Sequence, residues 1–303
     1  MNIIVRQSFW SSIVIYIGVV LGFVNSIILF PQFLSTEQIG IVRQLISAAT
    51  LLIPITTFGV NASYVKFYPN FVDDKSQKNQ FFIYELTVIL LSYCVVFAFL
   101  NLFYEDIRGL FTEKSRILFN YFDVFLLILF CLSISTLFES FLRARYDTVI
   151  TNIVNGVSNR ILTALTLILF SISLISFDEF INYQAVIYAF GLFILLTYAN
   201  RKDKIELNLS FDRIKYKLKE IFNFSSYAFL GSFSNIIVLN IDVIMVTSFL
   251  GLSDTGIYTT AFYIGMIIEI PRRAISQISI PFISENIKKK DFSKIEKNYK
   301  DVS

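Results

Sequence analysis

The 303-residue sequence contains no histidine and only two cysteines. The absence of histidine excludes His-based acid–base catalysis and the most common zinc sites. Cys94 and Cys131 both lie within apolar runs, where a thiol behaves as a small buried hydrophobic group rather than as half of a disulfide. The sequence therefore predicts no metal site and no cofactor.

Charged residues are scarce as well, at 16% of the chain, whereas a soluble domain carries roughly a quarter. Apolar residues make up 55%, in runs that approach or exceed the ~20 residues an α-helix needs to cross a bilayer. An outer-membrane barrel would show short alternating strands instead. The net charge of +3 does not indicate nucleic acid, because the lysines cluster in loops. We therefore predict an all-α integral membrane protein.

Apolar runs place about eight spans along the chain. The first apolar run is too long for a cleavable signal peptide and lacks a small-x-small cleavage site, so it is interpreted as a span. The predicted spans cover roughly 8–34, 41–65, 82–104, 117–142, 149–175, 182–200, 222–250 and 256–283. We predict a six-helix lobe over 1–200, a basic amphipathic cytoplasmic linker over 201–221, the first two helices of a second lobe over 222–283, and a polar cytoplasmic tail over 284–303.

Loop charge predicts the orientation of the bundle. One side carries most of the loop cations, which include Arg6, Lys75 and Arg145, the basic residues between Arg201 and Lys219, and the lysines after Lys288. The other side carries only Arg43, Arg108, Lys114 and Arg116. Both termini are therefore expected in the cytoplasm, as in a multi-pass protein of the bacterial cytoplasmic membrane.

The linker permits two interpretations. From Asp212 onward, cations alternate with apolar residues in a pattern that fits an amphipathic helix on the anionic inner leaflet. A solvated linker with basic anchors fits equally well.

A short sequence pattern occurs twice. Phe33-Leu34 and Gly40-Ile41 precede Phe249-Leu250 and Gly256-Ile257 by 216 residues. Each copy leads into an apolar helix with an internal proline, Pro54 and then Pro271. The recurrence suggests a duplicated membrane bundle.

Polar residues at membrane depth are the strongest functional indications, because each costs several kcal/mol unless it is paired or hydrated. In the first span, Asn25 shares a helical face with the Gly18-x-x-x-Gly22 motif, which favours close helix packing. In the fifth span, Arg160 lies beside a stripe of amides and a hydroxyl: Asn152, Asn155, Asn159 and Thr163. This stripe either faces a hydrated cavity for hydroxyl-rich or phosphate-bearing cargo, or forms an interhelical hydrogen-bonded seam.

The last two spans carry further charges. A helix break at Pro271 would offer amide groups to an anion beside Arg272 and Arg273, unless Glu269 neutralises one of the arginines. Asp242 is interpreted as a site for H⁺ or Na⁺, or as the partner of an arginine across the bundle. Glu85 and Asp123 lie close to predicted membrane edges and indicate little by themselves.

Three stretches, Phe30–Arg43, Asp242–Val246 and Leu250–Ala261, resemble the polysaccharide biosynthesis proteins known as oligosaccharide (O-antigen, Wzx-type) flippases. These belong to the multidrug/oligosaccharidyl-lipid/polysaccharide exporter superfamily. The resemblance implies two six-helix lobes with alternating access, a cavity lined by helices 1, 2, 7 and 8, and an undecaprenyl-diphosphate-linked glycan as cargo. It also implies that Arg43, Arg272 and Arg273 contact the diphosphate and that Asn25 and Asp242 are polar groups of the cavity.

Such proteins usually have twelve or fourteen spans, so the eight predicted here suggest a C-terminally truncated copy or a fragment. The leading hypothesis is a flippase that interacts with a lipid-linked oligosaccharide and membrane lipids, with H⁺ or Na⁺ as the coupling ion. A multidrug exporter is the first alternative, although a cavity for organic cations should feature acids rather than arginines. A membrane glycan polymerase or ligase is the second, although the external loops are short.

Overall fold

The computed structural model describes residues 3–206 and 210–265, and these residues form helices with no β-strand. Within these described ranges, seven helical segments are long and apolar enough to cross a membrane, which confirms the predicted fold class. The spans are Phe9–Phe33, Thr36–Thr57, Lys75–Leu102, Glu113–Arg143, Val149–Ser171, Phe177–Lys202 and Lys215–Phe249. Most of the predicted eighth span, 256–283, lies outside the described residues, which are helical over 252–265.

The spans consist of α-helices that are interrupted or extended by 3₁₀-helical and π-helical segments. The α-helices are α1 (Ile3–Phe23), α2 (Phe30–Phe33), α3 (Thr36–Thr57), α4 (Val60–Phe67), α5 (Lys75–Leu102), α6 (Tyr104–Gly109), α7 (Phe122–Arg143), α8 (Val149–Asn152), α9 (Asn159–Ser171), α10 (Phe177–Lys202) and α11 (Leu218–Phe249). A π-helical segment, Val24–Leu29, lies between α1 and α2, and a second, Ile153–Ser158, lies between α8 and α9. The described residues up to Tyr258 form one compact unit, and those from Thr259 belong to a second.

Side-chain caps determine where several spans begin. The hydroxyl of Ser35 accepts from the backbone N–H of Gln38, and the backbone N–H of Ser35 donates to Oε1 of Gln38. This capping box starts α3 at Thr36. Ser176 and Glu179 form the same capping box and start α10 at Phe177, five residues before the predicted edge of the sixth span. Polar caps therefore extend these helices beyond their apolar runs.

The second span ends at a backbone break rather than at its proline. Pro54 lies inside α3, which continues to Thr57. Phe58 and Gly59 both adopt left-handed conformations, with φ of 44° and 77°, and α4 starts at Val60. A Cβ on Gly59 would overlap the carbonyl oxygen of Ser225 in α11, so the break also allows close contact with the seventh span.

The loops predicted to be cytoplasmic meet at one end of the bundle, here called the basic end. Asp203, directly after α10, accepts from Lys78 of α5 and from Arg145 after α7, at 2.9 Å for the arginine. Arg213 of the linker pairs with Asp74 at 3.2 Å. The linker is therefore tied to α5, and its helix begins at Leu218 rather than Asp212.

Asp203 gives this network a defined pH dependence. Burial raises the pKa of Asp203, but hydrogen bonds from Lys78 and Arg145 outweigh this effect and bring the pKa below its ordinary value. The carboxylate therefore stabilises the fold at neutral pH, and its contribution is lost as the pH falls through the lowered pKa.

We expect Asp203→Asn to lower the free energy of unfolding by about 1–3 kcal/mol at neutral pH, because two partly buried cations lose their charged acceptor. Thermal unfolding in detergent should show this difference at pH 7 and a smaller one at acidic pH. Asp73→Asn, at an exposed aspartate of the same end, is the control. An equal loss of stability at every pH would contradict the assignment.

The repeated hairpins meet each other at the opposite end of the bundle. A Cβ on Gly40 would overlap the carbonyl oxygen of Leu252, and a Cβ on Gly256 would overlap that of Thr36. Thr36 and Leu252 are separated by 216 residues, as are Gly40 and Gly256. Each contact is therefore the repeat-related equivalent of the other. The hydroxyl oxygens of Thr36 and Ser253 lie 2.7 Å apart beside these contacts.

Candidate functional site

The first and fifth spans approach each other through glycines. A Cβ on Gly18 would lie 2.8 Å from the carbonyl oxygen of Gly156, closer than real Cβ contacts allow. Only a glycine at position 18 therefore permits this backbone contact. The Gly18-x-x-x-Gly22 motif predicted such packing, and the structure identifies α1 and the π-helical segment Ile153–Ser158 as the elements that meet there.

Arg160 binds the first span at this crossing. Its guanidinium donates to the carbonyl oxygen of Gly18, and a Cβ on Gly22 would overlap the guanidinium. Asn25 donates from Nδ2 to the backbone carbonyl of Arg160 at 2.8 Å. The structure therefore brings two predicted site residues, Asn25 and Arg160, into direct contact, and Asn25 is buried.

Both members of this contact lie in or beside π-helical backbone. Asn25 belongs to the segment Val24–Leu29, and Arg160 follows the segment Ile153–Ser158 by two residues. A π-bulge widens the helix by one residue per turn and is found frequently at functional sites. The sequence did not reveal these segments, because nothing in residue type distinguishes them from ordinary helix.

The other amides of the fifth span contact neighbouring helices. Asn155 donates to Glu139 of α7 at 2.7 Å, and Thr163 donates to Gln184 of α10 at 3.3 Å. Asn159 lies close to Gly191 of α10, and its Oδ1 is buried without a hydrogen-bond donor in the described part of the chain. The polar groups of this stripe thus contact two neighbouring helices, α7 and α10.

A second polar cluster joins the second and seventh spans. Thr247 of α11 donates to the side-chain oxygen of Gln44 at 2.8 Å and lies 2.8 Å from the hydroxyl of Thr255. Gln44 is 1% exposed, so this amide is almost fully removed from lipid and water. The preceding residue, Arg43, places its guanidinium 5.0 Å from the ring centre of Phe30, within cation–π distance. Sequence reasoning selected Arg43 but missed Gln44, a lone amide in an apolar run.

The remaining predicted site residues are Asp242, Arg272 and Arg273. Asp242 accepts a hydrogen bond from the hydroxyl of Tyr258, and its other oxygen accepts from the backbone N–H of Val243 at 2.9 Å. The aspartate is thus bonded to the second copy of the repeated hairpin. Arg272 and Arg273 lie outside the described residues.

Comparison with known proteins identifies a family. The model of a family described as polysaccharide biosynthesis protein covers residues 4–287, which is nearly the whole chain. No curated protein and no solved structure matches the chain at a significant level.

Proposed function

Since the chain belongs to the polysaccharide biosynthesis protein family, we propose that it flips an undecaprenyl-diphosphate-linked oligosaccharide across the bacterial cytoplasmic membrane during surface-polysaccharide synthesis. We propose a transporter rather than an enzyme, oriented with both termini in the cytoplasm. The lipid tail would remain in the bilayer while the polar head passes through the protein.

One observation carries this proposal beyond the family. Two spans that meet through glycines place polar groups at membrane depth. The amide of Asn25 donates to the backbone carbonyl of Arg160 at 2.8 Å, and the guanidinium of Arg160 donates to the carbonyl oxygen of Gly18. Polar groups at this depth are costly and are retained mainly where they serve a pathway. An arginine offers paired N–H donors that match the oxygens of a phosphate, and amides suit sugar hydroxyls.

We assign the diphosphate to Arg43 and Arg160, together with Arg272 and Arg273, and the glycan to Asn25, Asn155 and Asn159. Arg43 is half-buried in α3, one residue before the cluster that joins the second and seventh spans. Asp242 is proposed as the site of a coupling H⁺ or Na⁺, because its carboxylate is bonded to the hairpin that the transport cycle would have to move.

The paired hairpins support an alternating-access cycle. Their contact brings the start of the second span against the helix that begins at Leu252, at one end of the bundle, through the glycines of the repeat. Opening that contact would admit or release the head group there. In the orientation that loop charge predicts, this end faces the outside of the cell.

The proposal is tested by reconstituting the protein in vesicles that contain a labelled undecaprenyl-diphosphate-linked oligosaccharide. We expect Arg43→Ala and Arg160→Ala each to reduce the translocation rate roughly 10–100-fold, the equivalent of about 1.4–2.8 kcal/mol. Thermal unfolding should be measured in parallel, because Arg160 also holds the first span. Arg160→Lys keeps the charge but loses the bidentate geometry, so it should retain most of the stability and lose rate.

Arg116→Ala is the matched control. Arg116 is a half-exposed arginine outside the assigned site, 3.9 Å from Glu113, and its replacement is expected to leave translocation nearly unchanged. Unchanged translocation in Arg43→Ala, Arg160→Ala and the double variant would refute the assigned mechanism.

A further inference from the structure

A carboxyl group outside the assigned site lies buried inside the third span. Glu85 is 1% exposed and lies ten residues after the start of α5 at Lys75, or about 15 Å along the helix. Its surroundings are the aromatic core of the basic end, which includes Tyr64, Phe82 and Phe141. An ionised carboxylate in such surroundings is costly unless a cation or several donors compensate its charge.

The described part of the chain provides little compensation. Glu85 accepts one hydrogen bond, from the hydroxyl of Ser63 in α4 at 2.7 Å, and forms no ion pair there. The nearby cation, Arg145, binds Asp203 and the carbonyl oxygen of Phe141, each at 2.9 Å. This geometry favours the neutral acid.

The other groups packed around Glu85 do not change that conclusion. The titratable side chains near it are phenols, Tyr64 from α4 and Tyr84 from α5 itself. From α7, Phe138 and Phe141 pack against this part of α5 and bring no charge.

The hydrogen bonds available to Ser63 also favour the neutral form of Glu85. The Ser63 hydroxyl lies 2.7 Å from Glu85 and 3.4 Å from the carbonyl oxygen of Val60, but it has only one proton to donate. When Glu85 is protonated, its O–H can donate to Ser63, and the Ser63 O–H can donate to Val60. When Glu85 is ionised, the Ser63 O–H donates to the carboxylate, and the carbonyl oxygen of Val60 loses its hydrogen bond from Ser63.

This bond joins two separate pieces of backbone. Ser63 belongs to α4, which is separated from α3 by the left-handed residues Phe58 and Gly59. Gly59 in turn contacts the carbonyl of Ser225 in α11. A change at Glu85 therefore acts directly on α4, whose N-terminal end touches the seventh span.

We propose that Glu85 is a proton-binding site whose neutral form fastens α4 to α5 and whose ionisation releases α4. The site is distinct from the coupling-ion position assigned to Asp242. Its role in a transport cycle rests on the proposed function, whereas the proton binding itself does not.

Infrared difference spectroscopy on the full chain in lipid, without substrate, tests proton binding. At neutral pH, the spectrum of the wild type minus that of Glu85→Gln should contain the C=O band of a protonated carboxyl group, which disappears as the pH is raised. Asp123→Asn is the control, because Asp123 lines an open pocket at the opposite end. Ser63→Ala should keep the band and shift it to the frequency of a weaker hydrogen bond. Absence of the band from the Glu85→Gln difference would overturn the proposal.

A transport assay then tests whether the release of α4 is part of the transport cycle. With the labelled lipid-linked oligosaccharide in vesicles, Glu85→Gln should remove the pH dependence of the translocation rate, whereas Asp123→Asn should keep the wild-type profile. A pH profile of Glu85→Gln that matches the wild type would refute the release step. If no variant or wild-type protein translocates the oligosaccharide while the band titrates, the proposed function fails and the proton site stands.

Discussion

Gly40→Val is expected to prevent the two repeated hairpins from closing against each other and to reduce translocation at least 100-fold. The new side chain would overlap the backbone carbonyl of Leu252, which cannot move without displacing its helix. Overpacking of this kind costs typically 1–3 kcal/mol and more against backbone, so a closed state would lose roughly two orders of magnitude in population. Gly256→Val should act in the same way through Thr36.

Closure is measured independently of transport by cross-linking. The hydroxyl oxygens of Thr36 and Ser253 are 2.7 Å apart, so cysteines at both positions are expected to form a disulfide once Cys94 and Cys131 are replaced. We expect Gly40→Val to abolish this cross-link. Gly231→Ala, where a Cβ meets nothing within 4 Å, should leave the cross-link intact. Equal cross-linking in the Gly40→Val protein would show that the hairpins tolerate the added volume.

Gly59→Val is expected to destabilise the folded protein by about 2–5 kcal/mol. A β-branched residue with φ near 77° is strained by about 1–2 kcal/mol, and its Cβ would overlap the Ser225 carbonyl at an additional cost of about 1–3 kcal/mol. Thermal unfolding in detergent measures the loss.

Gly109→Ala supplies the comparison for Gly59, because the space around its Cβ is open and its φ is not left-handed. That variant should unfold at or slightly above the wild-type temperature, since alanine is favoured over glycine in a helix. Wild-type stability of Gly59→Val would mean that the break after α3 does not depend on glycine.

The main features of the bundle could be predicted from hydropathy, because a bilayer forces backbone polar groups into helices. Helix ends were predicted less well. The sixth span begins at Phe177 rather than 182 because Ser176 and Glu179 cap it, and the fourth begins at Glu113 because a 3₁₀ turn precedes α7. Such extensions consist of polar residues, so a prediction based on apolar runs does not include them.

The break in the second span illustrates a different limit. The sequence drew attention to Pro54, but a proline removes only one backbone donor, and α3 continues past it. The break occurs at Phe58 and Gly59, where α11 approaches the backbone. That cause is a tertiary contact 166 residues away in the chain, so local sequence could not reveal it.

The sequence predicts which residues belong to the candidate site better than it predicts which of them are in contact. The sequence identifies Asn25 and Arg160 separately, and only the packing of the π-helical segment Val24–Leu29 against α9 brings them together. Glu85 was set aside as close to a membrane edge, but α4 folds over it and buries it. The position of a residue along a helix can be counted from the sequence. Its burial depends on which other helices pack against it, and the sequence does not show this.

The exchanged contacts of Gly40 with Leu252 and of Gly256 with Thr36 have an evolutionary consequence. They have the geometry of a self-complementary interface, in which one surface patch meets a copy of itself across a two-fold axis. A gene that encoded a single copy of the hairpin would already have specified this contact, between two identical chains. In the present chain, a side chain added to either glycine must be accommodated by the backbone of the other hairpin, so the two positions are constrained together.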